Sequence, residues 1–316
     1  MAKSARQIKR LKALIARADA VASVATTEWR KCVREIRKEV AYLTSRLDLG
    51  QNAANREKVI RAVEVQINRL EKRLDSLVRS QLLSASKTAH LDAKDITGAS
   101  ESVLRYDPKY SLELVKLIQE RTGGSMAATF TRAMSRNAVT QLRNAVVRAF
   151  TENALAGGST RQLHNAIRDG WEAAVGNERN LRFIDRSGRE WDTNTYIQMN
   201  VRTNSMKMYN TQIVRDFAAA NDSDLVRISR DGRTDAHSCE VCKFWAGRIV
   251  SITGKTKGFP TIEQAEDAGM FHPNCIHTLE PVSEEFDDEE IAEQKAKWKE
   301  DRRKISVRKT TRRADT

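Results

Sequence analysis

The sequence predicts a mainly α-helical chain. Its parts are a long N-terminal helical hairpin or coiled coil, a helical middle body, a small C-terminal α+β module stapled by cysteine and histidine, and a charged tail. Three observations carry this. Four prolines and fourteen glycines in 316 residues, with abundant Ala, Leu, Arg, Lys and Glu, leave few helix breakers. Apolar residues in the N-terminal third recur at alternating steps of four and three. Cys239, Cys242 and Cys275 gather with His272 and His277 in one short stretch. The boundaries that follow are 1–90 for the hairpin, 101–222 for the body, 223–283 for the module and 284–316 for the tail.

In the hairpin, Trp29, Val33, Ile36, Val40, Leu43 and Leu47 form one apolar seam, which extends back to Ile8, Leu11 and Ile15. Ile60, Val63, Ile67, Leu70, Leu74 and Leu77 form the second. A 3.5-residue repeat keeps a seam turned toward a partner helix. Between the seams, Gly50 can end the first helix and Asn52 or Asn55 can cap the second. Pairing within one chain buries both seams, and self-association of the N-terminal helices of two chains satisfies the same pattern. Residues 1–90 hold 20 Lys and Arg against 9 acids. Such an excess suits either contact with DNA or a solvated face on which arginine and glutamate pair at helical spacing. Cys32 sits inside the first seam as a core residue.

The body begins after a polar, broken stretch at 83–100. A helix is expected over Ser111–Arg121, stopped by Gly123 and Gly124. The next runs through Met126, Phe130, Met134, Leu142, Val146 and Phe150 and ends at Gly157 and Gly158. Ser159 or Thr160 then caps a helix carrying Leu163, Ile167 and Trp171. Residues 177–192 read as a loop or small hairpin. Thr193–Ala220 is helical again, carrying Ile197, Val201, Met208, Ile213 and Phe217, and its methionines read as core filling.

The module alternates as a strand over Leu225–Arg230, turns at Asp231–Gly232, forms a second strand from Arg248, a short helix from Thr261 and a third strand from Thr278. Thiolates and imidazoles are the ligands that a tetrahedral zinc ion prefers, and two turn-held pairs are a common way to supply four of them. Cys239 and Cys242 make one pair. Cys275 with His277 makes the other, with His272 as the competing ligand. A structural zinc is the leading reading; a metal-free thiol cluster is the second. A catalytic metal needs an open position and a nearby acid or base. His272 with Asn274 gives only a faint likeness to a nuclease of the His-Asn-His kind, so a metal-dependent, nuclease-like enzyme acting on nucleic acid stands as the alternative function.

A formal charge of +13 and a pI near 9.7 favour polyanionic partners, nucleic acid first. No apolar run is long enough to cross a bilayer and no signal peptide is visible, so the reading is synthesis in the cytoplasm and no membrane partner. There, a Cys-x-x-Cys pair points to metal rather than a disulfide. The tail places an acidic run over Ser283–Glu293 before a basic one containing Lys297, Lys299, Arg302, Arg303, Lys304, Arg308, Lys309, Arg312 and Arg313, with Trp298 among them. Such runs are exposed and often disordered, and a basic tail with one aromatic can grip DNA phosphates.

Three blocks in a fixed order resemble the minor capsid protein 2 family of tailed phages, related to the Mu F-type head morphogenesis proteins. They are the capped helix from Gly158, the segment Tyr196–Asn210 with its Arg202-Thr203 pair and later Tyr209-Asn210, and the Cys/His stretch from Arg233 to His277. The resemblance implies a non-enzymatic, low-copy virion component made in the bacterial host. It also implies association with the portal, other capsid proteins and the head interior, and with packaged DNA in some systems.

Overall fold

The computed structural model describes residues 5–121, 126–176, 183–184, 190–221, 224–230, 239–282 and 291–301. The Gly123–Gly124 stop, the Asp231–Gly232 turn, the acidic run over 283–290 and the basic residues from Arg302 onward lie outside them. The chain is mainly helical and divides into two compact units. One comprises Ala16–Gln81 and Val115–Val201; the other comprises Met1–Ile15, Leu82–Leu114 and Arg202–Thr316.

Helix α1 (Ala5–Arg46) and helix α2 (Ala53–Thr97) build the N-terminal hairpin. Within the first unit they face each other in one chain, where the Cys32 thiol lies 3.5 Å from the Gln66 carbonyl and Arg73 pairs with Glu28 at 2.8 Å. Burial in α1 recurs at Leu14, Ala25 and Ile36, at Ala18, Trp29 and Val40, and at Ala22, Val33 and Thr44. That is a step of eleven residues, and it runs beside steps of seven at Ala22, Trp29 and Ile36 and at Thr26, Val33 and Val40. Three turns of an almost straight α-helix take about eleven residues, whereas a heptad seam must supercoil to stay in place. The stripe therefore drifts off the heptad positions: Ile8 is 40% exposed, and Val78 takes the buried place expected of Leu77. The turn between the helices is pinned. His164 Nδ1 accepts the Leu49 N–H at 2.9 Å, and Arg56 donates to the carbonyls of Leu49 and Gly50. Asn52 caps α2 by accepting the Asn55 N–H.

Helix α3 (Pro108–Arg121) starts three residues earlier than the apolar pattern suggests, because Asp107 caps it and Pro108 occupies its first position. Helices α4 (Met126–Leu155) and α5 (Thr160–Gly176) approach closely where Gly170 faces Ala145; a Cβ on Gly170 would lie 3.1 Å from that of Ala145. Ser159 and Gln162 cap α5 reciprocally, and α5 buries Leu163, Ile167, Trp171 and Val175. A short antiparallel hairpin, β1 (Phe183–Ile184) and β2 (Glu190–Trp191), leads into α6 (Thr193–Asn221).

In the second unit, strands β3 (Leu225–Ile228), β4 (Ile249–Ser251) and β5 (Leu279–Pro281) form an antiparallel sheet in the order β4-β3-β5. Helix α7 (Glu240–Trp245) follows β3, and α8 (Ile262–Asp267) lies between β4 and β5. Residues 291–301, inside the stretch whose charge suggests an exposed tail, form a further helix, α9. Its Trp298 is buried against Trp245, ring centroids 5.8 Å apart, and its Asp301 pairs with Arg248. Ile291 joins Ile249, Phe259 and Val282 in the module's apolar core. So small a sheet has little apolar surface of its own, and α9 supplies part of what it lacks.

The same unit carries a buried polar network. Asp92 accepts from Arg10 and Tyr209, both at 2.8 Å, while Asp216 bonds to His90 and Gln212, both at 2.9 Å. Gln212 continues to Ser86 and Ser111. Each polar group finds a partner, which is the condition for burying it.

Candidate metal centre

The first ligand pair sits on α7. Cys239 is the N-cap, extended in backbone, and its sulfur accepts the Cys242 N–H at 3.4 Å. This places the two thiols on one side of a single helical turn. Cys239 is exposed and Cys242 buried. The second group sits on the loop between α8 and β5. Thr261 and Gln264 cap α8 reciprocally, and the loop turns tightly through Gly269, Phe271 and Asn274, all with positive φ. For Phe271, φ 57° is a strained conformation that the surroundings must hold. The Cys275 N–H closes the loop on the His272 carbonyl at 2.9 Å.

These elements bring all five predicted side chains together. His272 Nε2 lies 3.2 Å from the Cys239 sulfur and 3.0 Å from that of Cys242. The Cys242 and Cys275 sulfurs are 3.9 Å apart, and His277 Nδ1 lies 3.4 Å from Cys275. Two overlapping triads result, Cys239–Cys242–His272 and Cys242–Cys275–His277, sharing Cys242. Two sulfurs bound tetrahedrally to one zinc at ~2.3 Å stand about 3.8 Å apart. The donor set and its spacing therefore fit a zinc-type ion. His272 is also oriented: its Nδ1 lies 2.8 Å from the Pro273 carbonyl, which fixes the proton there and leaves Nε2 as the lone pair facing the thiols.

Burial pushes the Cys242 and Cys275 thiols up, and the neighbouring sulfurs add to this at Cys242. At Cys239 burial acts upward too, but the backbone N–H groups of α7 outweigh it and the thiol is lowered. No carboxylate joins either triad among the described residues; Glu240 points away and pairs with Lys243 at 2.9 Å.

Two residues of α6 position the ligand segment, and neither is marked by a metal-binding residue type. Thr203 Oγ1 accepts the Asn274 N–H at 3.1 Å. Asn210 donates to the His277 carbonyl at 3.0 Å and accepts the Leu279 N–H at 3.2 Å. Their spacing of two helical turns puts both on one face of α6, and the sequence marks Thr203 and Asn210 by that spacing and by their place in the Tyr196–Asn210 block. Asp224 organises the opposite edge, accepting from Thr253 and Thr256 N–H and from the Ser251 and Thr253 hydroxyls; against the upward push of burial, these donors hold its carboxyl well below the usual range.

Of the predicted basic tail, Lys297 and Lys299 are exposed on α9, while Arg302, Arg303, Lys304, Arg308, Lys309, Arg312 and Arg313 lie outside the described residues, as does His237. No helix among the described residues is long and apolar enough to cross a membrane.

A sequence model of the family described as phage minor capsid protein 2 matches residues 43–314. No curated protein and no solved structure matches the chain.

Proposed function

Because the chain belongs to the phage minor capsid protein 2 family, we propose that it is a low-copy structural component of the phage head, bound to the portal and neighbouring capsid proteins and lying beside packaged DNA. The observation that supports this most is the reach of the family match, from within α1 to the end of the charged tail. The protein is made in the host cytoplasm and acts by binding, not by catalysis.

In this reading residues 223–283 form a module cross-linked by one zinc ion. Cys239, Cys242 and Cys275 supply three ligands. His272 is the fourth, supported by its contact with two thiols and its anchoring to Pro273; His277 is the competitor. When bound, the ion supplies a covalent-strength cross-link and neutralises thiolates that burial otherwise disfavours. Four protein ligands leave no open position for a substrate. The basic residues of the tail, from Lys297 to Arg313, serve contact with DNA or an acidic partner.

The test is complementation of a phage lacking this protein. The wild-type chain is expected in purified heads at a few copies, and Cys239→Ser with Cys275→Ser is expected to be expressed yet missing from them. Absence of the wild-type chain from heads contradicts the virion role. Normal incorporation of the double variant contradicts the role of the cluster.

A further inference from the structure

Charge is sorted by sign on the hairpin of the first unit. Over residues 16–46 of α1, every acidic side chain is partly buried at the flank of the helix (Asp19, Glu28, Glu35 and Glu39). Most of the bases face outward: Arg17, Lys31 and Lys38 form one line, flanked by Arg30 and Arg34, while Arg37 is partly buried and donates to the Val175 and Gly176 carbonyls. On α2 the same division holds over residues 53–81. Glu57, Glu64, Glu71 and Asp75 are partly buried, Glu57 with 46% of its side chain exposed beside Arg61, while Lys58, Lys72 and Arg79 form an exposed line flanked by Arg61 and Arg69. Lys31 and Lys38, and likewise Lys72 and Arg79, are seven residues apart, about 10.5 Å along a helix. The two faces meet at the Arg73–Glu28 pair. No ion pair of the described residues engages Lys31, Lys38, Lys58, Lys72 or Arg79.

We propose that this outer face of the α1–α2 hairpin is a binding surface for the phosphate backbone of double-helical DNA. The proposal rests on the reading of the chain as a virion protein beside packaged DNA and names the surface that reading lacks. A solvated face stabilised by its own ion pairs would expose both signs; this one exposes almost only cations. Its straight length, roughly 45 Å, spans about 13 base pairs. Single-stranded nucleic acid is not the fit, because such sites stack bases on aromatic side chains. The one exposed aromatic on these helices, Tyr42, is covered by the Arg46 guanidinium. The face offers no device for reading bases, so binding is independent of sequence.

The experiment measures fluorescence anisotropy of a labelled 25-base-pair duplex of mixed sequence with the full chain, across a salt series. The comparison chains are the variant Lys31→Gln, Lys38→Gln, Lys58→Gln, Lys72→Gln, a matched control with Lys109, Lys116, Lys255 and Lys257 each changed to Gln, and a chain truncated after Asp301. The wild type is expected to lose affinity steeply with salt, by about 0.9 in the log–log slope per phosphate contact. The hairpin variant is expected to flatten that slope by about 3 to 4 and to bind on the order of 100-fold more weakly at 0.1 M salt. The control should stay near wild type, and the truncated chain, which lacks the seven tail bases from Arg302 to Arg313, should lose less affinity than the hairpin variant, with unchanged helicity in all four. Equal loss in the matched control, loss confined to the truncated chain, preference for single strands, or no duplex binding at all would each overturn the proposal. Presence of the wild-type chain in heads is scored separately, so failure here leaves the virion assignment standing.

Discussion

The side-chain amide of Asn210 lies 3.0 Å from the His277 carbonyl and at the same time accepts the Leu279 N–H at 3.2 Å. One side chain of α6 thus stands in for a neighbouring strand along the segment that carries Cys275 and His277. With Thr203 holding Asn274 two turns earlier, α6 carries the frame on which half of the ligand cluster is built.

Replacing Asn210 with leucine keeps the branched outline of the side chain and removes its donor and its acceptor. The His277 carbonyl and the Leu279 N–H are left unpaired in a buried place, a loss of roughly 2–4 kcal/mol. Denaturant unfolding should show this loss, together with faster release of metal to a chelator. Unchanged stability and unchanged release would mean that the amide does not position the segment.

Trp298 is expected to behave as a core residue, although it sits between Lys297 and Lys299. Trp298→Ala should destabilise the second unit by about 3 kcal/mol and increase proteolysis near residue 290. Digestion at the wild-type rate would show that α9 does not hold the sheet.

Asp224 gives the acid limb of stability a definite sign. Its carboxyl is held low in the folded chain, so its contribution is complete above the unfolded value near pH 4 and is lost as pH falls through the folded one. Asp224→Asn should reduce stability at neutral pH and flatten the decline below pH 4. Parallel pH profiles for the two chains would contradict this.

At the alkaline end, burial, helped by Glu35 and opposed by Arg73, pushes the Cys32 thiol up to about 12. A raised value contributes stability that is intact below the unfolded thiol range near pH 9 and is lost as pH climbs toward 12. Cys32→Ala should therefore show a shallower decline between pH 9 and 11, measured as chemical unfolding midpoints. In the folded chain at pH 8, after a chelator has removed any metal, Cys32 should be the thiol slowest to react with a disulfide reagent. A rate like that of exposed Cys239 under the same conditions would contradict its burial.

How much of this was legible follows from where the information sits. The seams of α1 and α2, the cap at Ser159 and the buried line Leu163–Ile167–Trp171 are local patterns of spacing, and spacing survives in a sequence. The eleven-residue step was hidden because, over two or three turns, it looks like a heptad. The Cys/His cluster was readable from ligand type and turn-held pairs. The grip of Thr203 and Asn210 on it was not, since a hydrogen bond across 67 residues leaves no periodic trace. His90 meets Asp216 across 126 residues, and Asp92 meets Arg10 and Tyr209 across 82 and 117, so no local spacing marks these buried pairs. In α9 the surrounding charge concealed the apolar contacts of Ile291 and Trp298.

The proposed metal ion cross-links the α7 pair to the β5 loop. Native mass spectrometry of untagged protein, paired with a thiol count, tests it most directly. One zinc per chain is expected, with Cys239, Cys242 and Cys275 protected until a chelator removes it; zinc should be lost from His272→Ala and kept by His277→Ala. A chain that folds without metal while Cys239, Cys242 and Cys275 all react freely would contradict it.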